Sequence, residues 1–198
     1  MIVIQYKQGI CEKLIESAKI YKSVFMGFEY LIYSKKFVHR PYYIISAIEG
    51  NFSHLAGIKT LIPASSFYFH CINGTLHEAH FDFKDDKFVK GTIRRKLKAF
   101  SDIPDFFLRP LIAEENFSKG KAMCAFGSSN GKATIGFTRP INMRPMTLLM
   151  GNCLDPHHSV DVSLVLKRKK GESMFNEVMQ CACLEFATLY PDLMDLRE

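Results

Sequence analysis

Apolar residues recur at three- and four-residue steps through the first part of the chain. Leu14, Ala18 and Tyr21, then Phe25 and Phe28, fall on one stripe, which predicts an amphipathic helix over 11–28 ending near Gly27. Beyond it the period shortens. "EYLIY" (29–33) and "YYIISAI" (42–48) are rich in β-branched and aromatic residues and flank a basic connection with Pro41, the pattern of a hairpin. "NFSHLAGIKT" (51–60) follows at once and places His54 where the second strand hands the chain on. Pro63 suits the first turn of the next helix, and Asn73-Gly74 suits its end. From 85 to 109 the helical period returns. Val89, Ile93, Leu97 and Phe100 share a stripe, while Lys90, Arg94, Arg95, Lys96 and Lys98 take the other positions. "SDIPDFFLRP" reads as a short helical or irregular segment.

The last third changes character. "KAMCAFG", "KATIGFTR", "PMTLLMGNC" and "VDVSLVLKRKK" are short strand candidates separated by the turn signals "SSNG", "PINMRP" and "DPHH". Residues 173–189 then predict a closing helix carrying Phe175, Val178, Met179, Ala182 and Phe186. The order is helix, hairpin, helices, antiparallel meander and closing helix. That is an α+β class, expected as a single domain over 1–198, with no repeats and no long linker.

Composition narrows this picture. At 198 residues and 47% hydrophobic the chain can bury a core, and with 17 Phe and no Trp the aromatic packing falls to Phe. No apolar run approaches a membrane span and the N-terminus lacks a signal-peptide core, so the expected home is the cytoplasm, away from membranes. The six cysteines form no CxxC, and each has an apolar neighbour, which suits reduced core thiols. The 26 Lys and Arg exceed the 20 Asp and Glu, a charge of +6 that favours an anionic partner, nucleic acid first. Charge alone is a weak signal.

The motifs remove more classes than they add. Neither GxxxxGK[ST] nor GxGxxG occurs, and "GSSNGKAT" is flanked as a hairpin, against an NTPase or a dinucleotide enzyme. "HEAH" (77–80) lacks the i, i+4 spacing of a zinc protease, and "DPHH" (155–158) is a turn. No GxSxG elbow is present. No cofactor and no metal are therefore expected. The run "KGTIRRKLK" is either an ordinary solvated helix face or, beside "LKRKK" (166–170), part of a field suited to a phosphate backbone. Lys90, Arg94, Arg95, Lys96, Arg144 and Arg168 are the candidate contacts to such a backbone. His54 is either a hydrogen-bonded structural histidine or an acid–base residue. Thr147 and Lys167 lie in the late strands, where inward positions can bring a hydroxyl and a cation to one point.

"FSHLAGIKT" followed by "ASSFYFHCINGTLHEAHFDF" resembles the phage Barnase–EndoU–colicin–RelE-like nucleases, in particular their fourth subgroup. The residues that carry the likeness are Phe52, His54, Leu55, Gly57, Ile58 and Lys59, then Phe67 and Cys71, then Asn73, Gly74 and Leu76. "LIESAKIYKSVF" and "YLIYSKK" upstream fit as well, as do the later "IGF" (135–137), "P-x-TLL" (145–149) and "VSLVLKRKK", so the likeness spans about residues 12–180. Two positions depart from the pattern: Ala56 stands where a threonine is expected, and Met150 where a lysine is expected. The resemblance implies a sheet with helices on one side and metal-independent RNA cleavage through the ribose 2′-OH. It implies His54, Lys59, Thr147 and Lys167 as the catalytic set, RNA as the partner, and a toxin or effector of a phage or mobile element. An antitoxin or immunity protein is the further partner such a role calls for. The competing reading is a catalytically inactive RNA- or protein-binding module; a weaker one is an enzyme acting on a small anionic metabolite. Convergence of His54 with Lys59, Thr147 or Lys167 separates the first from the others.

Overall fold

The computed structural model describes residues 2–83, 89–120, 122–138 and 143–182. Helix α1 (Ile2–Phe25) starts earlier than its stripe suggested, and Leu14, Ala18, Tyr21 and Phe25 are all buried. Gly27, at φ +85°, takes the left-handed conformation that lets the chain reverse after the helix. The expected hairpin follows as β1 (Phe28–Tyr33) and β2 (Tyr42–Ser46). Next come α2 (Asn51–Ala56), β3 (Ile58–Thr60), α3 (Ala64–Ile72, capped by Pro63 and Asn73) and β4 (Phe81–Phe83). Helix α4 (Val89–Ala99) passes into 3-10 turns at Phe100–Asp102 and Phe106–Leu108. The second half is β5 (Ile112–Glu115), β6 (Ser118–Lys119), β7 (Ala122–Met123), β8 (Phe126–Ser129), β9 (Ala133–Phe137), β10 (Pro145–Met150), β11 (Ser159–Asp161), β12 (Leu164–Lys169) and β13 (Glu177–Cys181). The class is α+β with antiparallel sheets, as expected.

The strands β8, β9 and β10 form the anticipated meander inside a sheet of order β10-β9-β8-β5-β11. Asn130 sets its first turn: its side-chain oxygen accepts the Lys132 and Ala133 N–H groups, and Gly131 supplies φ +84°. β12 leaves that meander. It pairs instead with β1 in a second sheet of order β13-β12-β1-β2, from Phe28↔Lys169 to Tyr33↔Leu164. Met143, two residues before β10, bridges Ile45 of β2, so an edge strand of one sheet touches the approach to the other.

The closing helix predicted over 173–189 is not formed in its described part. Residues 177–181 are β13, paired antiparallel to β12, and 183–189 lie outside the described residues. The helical spacing is overridden by two tertiary demands. β12 offers an open ladder edge, and its sheet has a second apolar face made by Leu31, Leu164 and Leu166. Phe175 covers that face and is fully buried, while Val178, counted on the helical stripe, is exposed. The thiols also divide. Cys11, Cys71 and Cys124 are buried as expected and free, and burial pushes the Cys71 thiol up to about 12 and that of Cys124 to about 11. Cys153 is half-buried and Cys181 is exposed at the sheet edge, so neither is a core thiol.

One ion pair locks the two halves of the second sheet. Glu29 of β1 and Arg168 of β12 are register partners, with the carboxylate 2.7 Å from both Nε and Nη2 of the guanidinium. Nη1 donates to the Ser173 carbonyl, and the guanidinium lies 4.4 Å from the Phe175 ring centroid. With both side chains largely buried, removing one partner strands the other charge. Glu29→Ala should therefore destabilise the chain by about 3 kcal/mol in denaturant unfolding, whereas Glu172→Ala on the neighbouring turn should cost well under half of that.

Candidate functional site

His54 owes its position to the residues around it. Phe52, Ser53, Leu55 and Ala56 of α2 are all buried, which leaves His54 on the exposed side of the short helix. The helix ends in Gly57, whose N–H donates to the His54 carbonyl and whose φ is +72°. A side chain here would be strained by that backbone. It would also collide with Lys96 of α4, since an added Cβ would lie 2.7 Å from Lys96 Cδ and 3.1 Å from Cε. The lysine stem thus crosses the glycine directly after the histidine's helix.

Lys96 continues inward. Its Nζ donates to Thr147 Oγ1 at 3.3 Å and to the Leu148 carbonyl at 3.1 Å, both on β10. Thr147 is 8% exposed and stands opposite Gly136 of β9, where an added Cβ would meet Thr147 Cγ2 at 2.9 Å and Cys124 Sγ at 2.6 Å. Two glycines, one beneath each partner, therefore permit the approach of α2, α4 and β10. The junction combines an imidazole-bearing helix, an ammonium and a hydroxyl.

The other expected site residues are distributed differently. Lys59 is exposed on β3 opposite Asp82 of β4. The Phe83 N–H, then Lys7 and to a smaller extent Lys59, hold the Asp82 carboxyl below its usual range. Lys167 does not join Thr147. It belongs to the other sheet, where its Nζ pairs with Glu177 at 2.9 Å and lies 4.3 Å from the Phe28 ring centroid. Arg168 was expected to contact RNA and is instead 7% exposed, its guanidinium spent on Glu29, Ser173 and Phe175. Lys96, also expected on the solvated face, is half-buried at the junction. Arg94 and Arg95 do project from α4, and Arg144 is exposed ahead of β10. The Lys90 side chain lies outside the described residues.

Lys96 is the residue that pattern reading misplaced. It falls three positions after Ile93 and beside Leu97, both buried, so helical spacing puts it at the margin of the apolar stripe. Its aliphatic stem lies along that margin while the ammonium reaches polar partners.

A concave region of about 760 Å³ elsewhere on the molecule collects His39, Glu114, Glu115, Asn116, Asp155 and His158. Its carboxylates are spent internally. Glu115 accepts the Val38 and His39 N–H groups and the Tyr43 hydroxyl, Glu114 accepts the Asp155 N–H, and Asp155 accepts the His157 N–H and pairs with His158. Burial opposes ionisation of Glu115, but the donors from Tyr43, Val38 and His39 outweigh it and hold its carboxyl low. The cluster fastens two loops to β5. Among the described residues no group of three or more His, Cys, Asp or Glu could hold a metal ion, and no helix is long and apolar enough to cross a membrane.

A family model described as phage-Barnase-EndoU-ColicinE5/D-RelE like nuclease4 matches residues 13–138. No curated protein and no solved structure matches the chain. The matched span runs from within α1 to the end of β9, shorter than the 12–180 of the resemblance. It holds His54, Gly57, Lys59 and Lys96, while Thr147 and Lys167 lie beyond it. Because that span is well over half of the sequence and contains the histidine helix together with the lysine that crosses it, the chain belongs to the phage-Barnase-EndoU-ColicinE5/D-RelE like nuclease4 family.

Proposed function

We propose that this chain is a metal-independent endoribonuclease that cleaves RNA by attack of the ribose 2′-OH on the adjacent phosphodiester, as a toxin or effector of a phage or mobile element. Membership of a nuclease family supports the broad activity. The observation that carries the finer reading is the seat of Lys96, held on Thr147 and Leu148 and pressed against the glycine that ends the His54 helix.

The chemistry follows from those groups. His54 serves as the acid–base residue, because an unperturbed imidazole titrates near 6.5 and can exchange a proton at neutral pH. In the first step it takes the proton of the 2′-OH, and the 2′ oxygen forms a bond to phosphorus. Negative charge then builds on the non-bridging oxygens of the phosphorane, where a fixed ammonium lowers the barrier. The bond to the 5′ oxygen breaks, that oxygen takes the proton His54 has acquired, and the products are a 2′,3′-cyclic phosphate and a 5′-hydroxyl end. Lys96 supplies the charge and Thr147 positions it. Lys59, exposed just beyond Gly57, and Arg94, Arg95 and Arg144 contact the phosphates of the bound strand. Lys167 and Arg168 have structural parts in this reading.

Measurements on the native chain and on one variant test it. The native chain should cleave RNA in excess EDTA, leave DNA intact and stall at a 2′-O-methyl nucleotide. His54→Ala should lower the rate by about 10²–10⁴-fold with an unchanged circular dichroism spectrum. A folded variant that cleaves at the native rate removes His54 from the mechanism, and a native chain that binds RNA without product is a binding module instead.

The arginines of α4 make a separate claim. Arg94→Ala with Arg95→Ala should weaken RNA binding and flatten its salt dependence, each lost phosphate contact reducing the log–log slope by about 0.7. Identical slopes for variant and parent would make α4 a solvated face.

Gly57 can be compared with Gly74, which ends α3 at nearly the same backbone angle, φ +69° against +72°, but has no atom within 4 Å of an added Cβ. Alanine at either position should cost about 1 kcal/mol of backbone strain. Gly57→Ala should in addition displace Lys96 and slow cleavage at saturating RNA by about 10²-fold. Equal activity in the two variants would show that the lysine's seat is irrelevant to turnover.

A further inference from the structure

Three histidines lie together away from the junction. His77 and His80 bracket a 3-10 turn, Glu78–His80, and His70 projects from the last turn of α3. The His70 and His80 ring centroids are 4.3 Å apart at 37°, and those of His77 and His80 are 6.0 Å apart.

For His77 and His80 the hydrogen bonds fix the role of Nδ1. His77 Nδ1 accepts the Ala79 N–H at 3.2 Å, and His80 Nδ1 accepts the His77 N–H at 3.2 Å. Backbone N–H groups only donate, so both Nδ1 atoms must carry a lone pair. Each ring is then neutral with its proton on Nε2. The pair is a reciprocal cap of the kind usually built from a hydroxyl and a glutamate, here made from two titratable rings.

The turn carries register. The His80 carbonyl accepts the Leu61 N–H at 2.9 Å, continuing the ladder in which Thr60 faces Phe81 and Ile58 faces Phe83. β3, held by that ladder, is the strand that leaves Gly57 and carries Lys59. Charge around the turn does not favour a proton on His80. Desolvation, then His70 and His77, lower its proton affinity. Of the packed neighbours, Lys7 of α1 pairs with Asp82 of β4 at 3.6 Å, and Glu78 of the turn acts on Cys11 of α1.

We propose that His77 and His80 form an acid-sensitive latch on the β3–β4 ribbon. A proton on either Nδ1 replaces an acceptor by a donor that faces another donor, so the cap opens, the turn loosens and the Leu61–His80 link is released. His80 binds its proton less readily in the fold than in an unfolded chain. Its contribution is therefore intact above the unfolded value of 6.5 and is lost as pH falls below that value. The latch is independent of the nuclease chemistry, although it acts on the strand that follows the His54 helix.

Two measurements on the whole chain test it. Long-range proton–nitrogen NMR at about pH 7.5 should find Nδ1 of His77 and His80 unprotonated. Protection of the Leu61 amide, corrected for intrinsic exchange, should fall by about tenfold or more between about pH 7.5 and pH 5. His77→Asn with His80→Gln keeps an acceptor at each end of the turn without a titrating ring, and its Leu61 protection should be flat over that range. Nδ1–H on either native ring at the higher pH overturns the latch, as does native protection that ignores pH. Acid loss of equal size in a folded double variant overturns it too. If that variant fails to fold, the two native-chain measurements decide.

Discussion

Phe52 is the packing point on which the arrangement of this molecule depends. Its ring lies 5.6 Å from that of Tyr21 on α1, 5.9 Å from Tyr68 and 6.2 Å from Phe67 on α3, and 5.7 Å from Phe100 beyond α4. Tilted, edge-on and stacked aromatic contacts of this kind add to burial and fix ring orientation, so one side chain of α2 joins α1, α3 and the turn that follows α4. His54 comes two residues later. Its exposure is the reverse side of the burial of Phe52, Leu55 and Ala56, and the site geometry is inherited from the core.

Charge in this protein is not confined to its exposed surface. Three of the cations that make the chain basic are drawn into the structure. Arg168 locks β1 to β12, Lys167 joins β12 to β13, and Lys96 ties α4 to β10. Each places a long aliphatic stem along apolar neighbours and delivers its charge to a fixed acceptor. Arg94, Arg95 and Arg144, by contrast, keep exposed side chains.

Loop placement relies on short polar contacts. Glu115 holds the β1–β2 connection through two N–H groups and the Tyr43 hydroxyl, whose own proton affinity is raised first by burial and then by this carboxylate. Asp155 fixes the turn before β11 in a similar way, using the His157 N–H and the His158 ring. The His77–His80 cap belongs to the same class of device, with the difference that its acceptors are themselves bases. Carboxylates keep their acceptor role through the neutral range; imidazoles do not.

What the sequence determined by itself was local. Periodicity marked α1, the hairpin and α4, and the end and turn residues Pro63, Asn73-Gly74 and Asn130-Gly131 marked α3 and the β8–β9 turn, because burial on one face and the conformational demands of such residues act over a few positions. The block around His54 marked the family for a similar reason, as a run of contiguous residues. Tertiary structure decided the remainder. Whether 173–182 became helix or strand depended on the free edge of β12 and the apolar face awaiting Phe175, neither visible in that segment. Lys96 and Arg168 look alike in a list of basic residues. One sits at a helix margin above Gly57 and the other opposite Glu29, and those neighbours lie 39 and 139 residues away along the chain. Long-range contacts determine which charges are desolvated and bound, and desolvation gives each cation its role.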